Sequence, residues 1–169
     1  MMRFSTGLKL AAVASAFLLV AGCESKKEAT VAPPGPSTSG GGTTSSIIPG
    51  SAEDFRVNVG DTVHFDFDKY DVREDDKGTL QRQATWLSKY PAVRVTVEGH
   101  CDDRGTREYN LALGARRANA VKEYLVSLGV SSARVDTISY GKERPICTES
   151  DESCWSQNRR AVTVLGATS

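Results

Sequence analysis

The apolar positions between residues 60 and 165 change period several times, and each change marks an element. Thr62-Val63-His64-Phe65-Asp66-Phe67 is rich in β-branched and aromatic residues and follows the turn pair Gly60-Asp61, which predicts a strand. From 74 to 90 the residues Leu80, Ala84, Leu87 and Tyr90 recur at three- and four-residue steps, so an amphipathic helix is expected, stopped by Pro91. Val93, Val95 and Val97 then alternate with Arg94, Thr96 and Glu98, the pattern of a half-buried strand ending at Gly99. The longest helix is expected over 107–128, with Leu111, Ala115, Ala118, Val121, Leu125 and Leu128 as its stripe and Gly129 as its stop. Ser131–Arg134 reads as a short helical turn and Val135–Tyr140 as a third strand closed by Gly141. Residues 142–158 read as a loop, and Ala161–Leu165 as the last strand.

This order, β-α-β-α-β-β with no internal repeat, predicts an α+β fold. Two main helices of unequal length lie on one four-stranded sheet in a two-layer α/β sandwich. Crossover helices make some neighbouring strands parallel, so the sheet is expected to be mixed.

The chain before residue 52 has a different texture. Arg3 and Lys9 precede the apolar run Leu10–Val20, which ends in small residues at Ala21-Gly22-Cys23. A basic start, a short apolar stretch and small residues make a secretory signal, and the run is too short to span a membrane well. A retained signal anchor is the alternative. Val20-Ala21-Gly22-Cys23 resembles the bacterial lipobox, which implies cleavage after residue 22 and acylation of Cys23. Several acyl chains give firm anchoring where one alone is marginal. Glu24 rather than Asp follows the cysteine, which by the enterobacterial sorting rule favours the outer membrane. Residues 24–51, with Pro33-Pro34-Gly35-Pro36, Gly40-Gly41-Gly42 and many Ser and Thr, have almost nothing to bury and read as a tether. Its roughly 28 residues reach about 90 Å pulled straight and average about 30 Å as a coil. The expected organisation is a leader over 1–22, a lipidated Cys23 with its tether to 51, and one domain over 52–169.

Charge narrows the function. Lys+Arg and Asp+Glu both number 21, and this balance argues against nucleic acid, whose binding draws on a basic excess. The stretch 52–169 is enough for one ordinary core, which excludes a multidomain enzyme. Beyond Cys23, three cysteines remain: Cys101, Cys147 and Cys154. Export favours disulfides, and the short segment between Cys147 and Cys154 is easily closed, so that pair is expected to be bonded. Cys101 sits between His100 and Asp102. A nucleophile or a metal site is disfavoured there, because neighbouring side chains at a strand end point apart. His64 is the only other histidine, and it supplies no ligand spacing for a metal.

Polar residues gather where the strands run out: Asp66 to Asp71, Gly99 to Gly105, Arg116-Arg117 on the long helix, and Asn158-Arg159-Arg160 before the last strand. Ligands commonly sit at strand ends, and carboxylates with guanidinium groups suit a zwitterion. Each group has a plainer reading. Asp66 and Asp68 could form a turn, Asp102 and Asp103 could cap the long helix, and the arginine pair could be a solvated face. Paired carboxylates also occur in glycoside hydrolysis, but none here has an apolar setting that would raise its pKa. The residues alone favour a small-ligand binding module over an enzyme.

Five runs, in order, carry a more specific likeness: Phe65–Asp71, Val97–Thr106, Tyr109–Val121, Ser139–Pro145 and Asn158–Ala161. Over about 60–165 they resemble the OmpA-type peptidoglycan-binding domain family, and the lipobox and tether complete the layout of its lipoprotein members. The resemblance implies non-covalent binding of meso-diaminopimelate in uncrosslinked peptidoglycan stems, without a cofactor. Asp102 would take the ligand's ammonium and Arg117 would fork onto its carboxylate. Phe67 and Asp68 would supply contacts from the first strand, while Asn158 and Arg159 would line the same pocket. Arg116 would face solvent. Cys101 departs from the family, which usually has Thr or Ala there, and a free thiol beside the pocket raises the question of oxidation. The Cys147/Cys154 pair would brace the wall before Asn158. The implied role is a structural one on the periplasmic face of the outer membrane. The domain would hold the membrane to the wall within the Tol system, with a TolB-like propeller protein and other Tol components as partners. A wall-binding lipoprotein outside that system, or a hydrolase using Asp66/Asp68 or Cys101, are the rivals.

Overall fold

A computed structural model of the protein describes residues 47–166; the leader, Cys23 and the first part of the expected tether lie outside the described residues. Ser51 caps the short helix α1 (Ala52–Asp54), accepting from Asp54 N at 3.1 Å, and one wide helical turn over Phe55–Val59 follows it. Four strands form one sheet: β1 (Thr62–His64), β2 (Val95–His100), β3 (Val135–Gly141) and β4 (Arg160–Leu165), in the order β1-β4-β2-β3. β4 runs antiparallel to both neighbours, with Val63 opposite Ala161 and Val97 opposite Thr163, while β2 and β3 are parallel. The parallel pair is joined by α3 (Arg107–Ser127), and β1 reaches β2 through α2 (Glu74–Lys89). The sheet is mixed, and the fold is α+β.

The core lies between the sheet and these two helices, where Val63, Val95, Val97 and Val135 meet Leu80, Leu87, Val121 and Leu125. α2 starts on Glu74, Asp75 and Asp76, carboxylates suited to the positive end of a helix, and stops one residue before the expected position. α3 spans nearly the expected length, but its buried face is not the expected stripe. Ala118, Val121 and Leu125 are buried, whereas Leu111 is 48% and Leu128 36% exposed. The inward face runs instead through Asn110, Leu113, Gly114 and Arg117. Two of those are polar, so a hydrophobic pattern could not find the face they share.

Two other expectations need correction. β1 ends at His64, not Phe67. Phe65 N still donates to Arg159 O at 2.9 Å, but Lys69 N then closes a turn onto Asp66 O at 3.2 Å and Asp68 takes φ 57. Asp is one of the few residues that tolerates that left-handed region. The stretch 142–158 is not all loop, because it contains α4 (Glu152–Asn158). Its sequence Glu-Ser-Cys-Trp-Ser-Gln-Asn has no apolar period. What holds it is Asp151, whose side chain caps Cys154 N at 3.0 Å, and a Cys147–Cys154 disulfide with Cα atoms 5.2 Å apart.

One close approach sets how α3 lies on the sheet. A Cβ placed on Gly99 of β2 would come within 1.9 Å of Gly114 O on α3, and one on Gly114 within 2.4 Å of Ser139 Oγ. Only glycine allows backbone to approach backbone at this crossing. Gly99→Ala is therefore expected to cost at least about 3 kcal/mol in urea unfolding, because the atoms its Cβ would meet are all main chain of Gly114. Gly129→Ala, with φ 96 but open space around it, is expected to cost only about 1 kcal/mol. Equal losses at the two sites would show that the crossing is looser than described.

Candidate ligand-binding site

The turn after β1 and the loop after β2 meet above the start of α3. The β2–α3 loop is tied from several sides. Thr106 Oγ1 caps Tyr109 N at 3.2 Å, and Asn110 Nδ2 donates to Arg104 O at 2.7 Å. Lys142 Nζ reaches across from the end of β3 to Asp103 O and Gly105 O at 3.0 and 2.8 Å. The cap of α3 is thus Thr106, not Asp102 or Asp103. Between these segments lies a cavity of about 210 Å³, whose walls include Phe67, Asp68, Asp102, Arg104, Tyr109 and Arg117.

Arg117 is the floor. Its side chain is fully buried, and its donors go to main-chain carbonyls of both converging segments: Nε to Lys69 O at 2.8 Å, Nη1 to His100 O at 2.8 Å and Nη2 to Asp66 O at 3.2 Å. A guanidinium has five N–H donors, so two remain beyond these bonds. Among the described residues no carboxylate lies within ion-pair distance of it. Burial pushes its pKa below the ordinary arginine value, which is the cost of an unneutralised cation held away from water.

Asp102 faces the same cavity with the opposite charge. Oδ1 accepts from Arg104 Nε and from Arg104 N, both at 3.2 Å; Oδ2 accepts from Arg104 Nη2 at 2.5 Å and Arg159 Nη1 at 3.3 Å. Burial alone would raise this carboxyl, but the hydrogen bonds from Arg104 and Arg159 outweigh it and hold the pKa below 3.8. Arg104 lies against two rings, its Cζ 4.0 Å from the centre of Phe67 and 4.1 Å from that of Trp155. Asp68 accepts a short hydrogen bond from the Tyr109 hydroxyl on the opposite rim.

Of the residues expected in the pocket, Phe67, Asp68, Asp102 and Arg117 come together around the cavity. Asn158 and Arg159 do not line it. Asn158 holds the loop after β3, accepting from Ile146 N at 2.9 Å and donating to Cys147 O at 2.7 Å. Arg159 lies behind Asp102, bonded also to Phe65 O at 3.0 Å and to the Glu152 carboxylate. Arg116 is exposed. Sequence reasoning missed Arg104, Tyr109, Glu152 and Trp155. The first two sit inside the runs that carry the family likeness, but Glu152 and Trp155 depend on α4, which the pattern does not reveal. Cys101 is buried, its Sγ donating to Asn110 O at 3.3 Å, and burial pushes the thiol up to about 11. At neutral pH it is a protonated thiol, a poor nucleophile and slow to oxidise.

A model described as the OmpA family matches residues 64–160, and the chain belongs to that family. Its relatives there carry a more particular name, peptidoglycan-associated lipoprotein. The chain is 58% identical over 149 residues to that of Agrobacterium fabrum, covering 88% of this chain and 82% of the relative. To that of Brucella melitensis it is 53% identical over 150 residues, covering 88% and 86%. The crystal structure of the peptidoglycan-associated lipoprotein from Burkholderia pseudomallei aligns with a TM-score of 0.62 and 44% identity, over 63% of this chain and 90% of that one.

The paired carboxylate makes stability depend on pH. Because the folded-state pKa of Asp102 is depressed, its contribution is complete above the unfolded value near 3.8 and is lost as pH falls through the lower folded value. Asp102→Asn is expected to cost about 1–3 kcal/mol at pH 7, mainly by removing the buried carboxylate that Arg104 and Arg159 share, which leaves Arg159 with Glu152 alone. In urea titrations the gap to wild type should close as the pH is taken below the carboxylate range. A gap independent of pH would mean that packing, not charge, holds the loop.

Proposed function

We propose that the domain binds peptidoglycan non-covalently by gripping the amino-acid end of meso-diaminopimelate in uncrosslinked stems. The observation that carries this reading is Arg117, a fully buried guanidinium without a carboxylate partner among the described residues, sharing one cavity with the carboxylate of Asp102. The far end of diaminopimelate carries an ammonium and a carboxylate on the same carbon. Asp102 takes the first, and the spare N–H groups of Arg117 take the second. Phe67 and Asp68 close over the ligand from the turn after β1. Binding to one stem is modest, and many copies on one sacculus raise the effective hold.

With a lipid on Cys23 and residues 24–51 as a leash, the protein ties the outer membrane to the wall from its periplasmic face. It does so within the Tol–Pal system, with a TolB-like propeller protein as partner, and serves envelope integrity and cell division. The relatives' name and the family match support wall binding; the assignment to Tol–Pal rests on the motif likeness. The role is binding rather than hydrolysis. Asp66 and Asp68 are exposed to solvent, and Cys101 is a buried, protonated thiol, so none of these three has the setting that acid or nucleophilic catalysis needs.

The protein is expected to co-sediment with diaminopimelate-type sacculi and not with lysine-type ones, because lysine lacks the carboxylate that Arg117 holds. Arg117→Ala should weaken this binding by roughly 2–5 kcal/mol, and Arg117→Lys, which keeps charge without the fork, should also weaken it. Unfolding curves for both variants separate lost binding from lost fold. Equal sedimentation with both wall types would falsify the pocket chemistry. A pull-down should also retain the cognate TolB, and its absence would move the protein to a wall-binding role outside Tol–Pal.

A further inference from the structure

Asp102 carries two guanidinium groups, and they differ in kind. Arg159 is buried and tied at the same time to Phe65 O and Glu152, so it belongs to the wall. The Arg104 side chain is 30% exposed and lies on the cavity side. Around it are the Asp102 carboxylate, the faces of two aromatic rings (Phe67 and Trp155, 4.0 and 4.1 Å away), and Glu152 Oε2 at 3.8 Å. A carboxylate together with aromatic faces is the chemistry that recognises an organic cation. Here one is already held, and that cation belongs to the protein.

We propose that Arg104 is the resident occupant of the ammonium subsite, a tethered cation that the ligand's own ammonium must displace from Asp102. The inference rests on the diaminopimelate reading, because it needs a ligand that brings an ammonium to this carboxylate. Arg104 is free to leave in a way Arg159 is not. Its guanidinium hydrogen bonds run to Asp102 alone, and its partly exposed tip lets water take up the charge. The bound carboxylate of Asp102 then exchanges one cation for another.

This exchange has a consequence for selectivity. A ligand that supplies only an ammonium replaces an existing ion pair with a similar one and gains little. A ligand that also brings a carboxylate gains the contact with Arg117, which no carboxylate of the described residues makes. Arg104 therefore sets a threshold that an amine alone does not pass.

The test is calorimetric titration of the full-length lipoprotein in detergent with the soluble tripeptide L-Ala-γ-D-Glu-meso-diaminopimelate. Arg104→Ala and Arg104→Gln are measured beside wild type, the glutamine retaining the stem and its ring contacts without the charge. Both variants should bind about fivefold more tightly, the size of one partly exposed ion pair. Tryptophan emission should change when wild type binds, as Arg104 leaves Trp155, and should not change in the variants. Unchanged or weaker binding in both variants, with wild type binding normally, overturns the displacement and leaves the diaminopimelate site standing. If wild type does not bind the tripeptide at all, the diaminopimelate reading fails and this inference fails with it.

Discussion

A single buried guanidinium joins the parts of this fold that make the site. Arg117 projects from the middle of α3 and bonds Asp66 O and Lys69 O in the turn after β1, and His100 O at the end of β2. These segments are far apart in sequence and share no strand pairing at that point. Burying a charge away from water is costly unless its hydrogen bonds are met, so Arg117 fixes where both segments must lie. Lysine could not do this, because its ammonium lacks the planar fork that spans several carbonyls. The same group also remains electrostatically unmet, since carbonyls satisfy donors without cancelling charge. The residue that organises the strand ends is thus the one that leaves an anion-seeking cavity between them.

The other wall is held by a different means. Residues 142–159 contribute little to the main core and are secured by local devices. The Cys147–Cys154 disulfide, the Asp151 cap and the Asn158 amide bonded to Ile146 and Cys147 set α4 in place. α4 then presents Glu152 to Arg159 and Trp155 to Arg104. Short cross-links do here what a hydrophobic stripe does for α2 and α3, because seven residues bury too little apolar surface to dock alone.

This difference decides what the sequence could reveal. α2, β2, β3 and β4 were legible within a residue or two, because alternation and helical spacing report burial directly. The inward face of α3 was not, because Asn110 and Arg117 stand on it and look like surface residues in any hydrophobicity pattern. α4 was invisible for the related reason that a cap and a disulfide hold it. In the site, motif likeness located Asp102, Arg117, Phe67 and Asp68 at the cavity, but likeness gives position along the chain and not direction. Asn158 and Arg159 lie in the right segment but do not line the cavity: Asn158 bonds the loop after β3, and Arg159 bonds Asp102. Arg104 went unremarked although it lies two residues from Asp102, since nothing in a linear sequence says that a loop arginine folds back onto its neighbour.

The adjacent His100 and Cys101 illustrate how burial assigns roles. Strand alternation sends them to opposite sides: the imidazole stacks on Tyr140 with ring centres 5.5 Å apart, and the thiol donates to the Asn110 carbonyl of α3. Burial disfavours the charged form of each, taking His100 down to about 4 and Cys101 up to about 11. Both are neutral across the whole physiological range, so no thiolate–imidazolium pair forms. Cys101 acts as a small hydrogen-bond donor, the part a threonine hydroxyl could play at the same place. The cavity's charge then comes from Asp102 and the arginines around it, with hydrogen bonds from Arg104 and Arg159 outweighing burial to hold the Asp102 carboxyl below its ordinary value. His100 and Cys101, both neutral, add no charge to it.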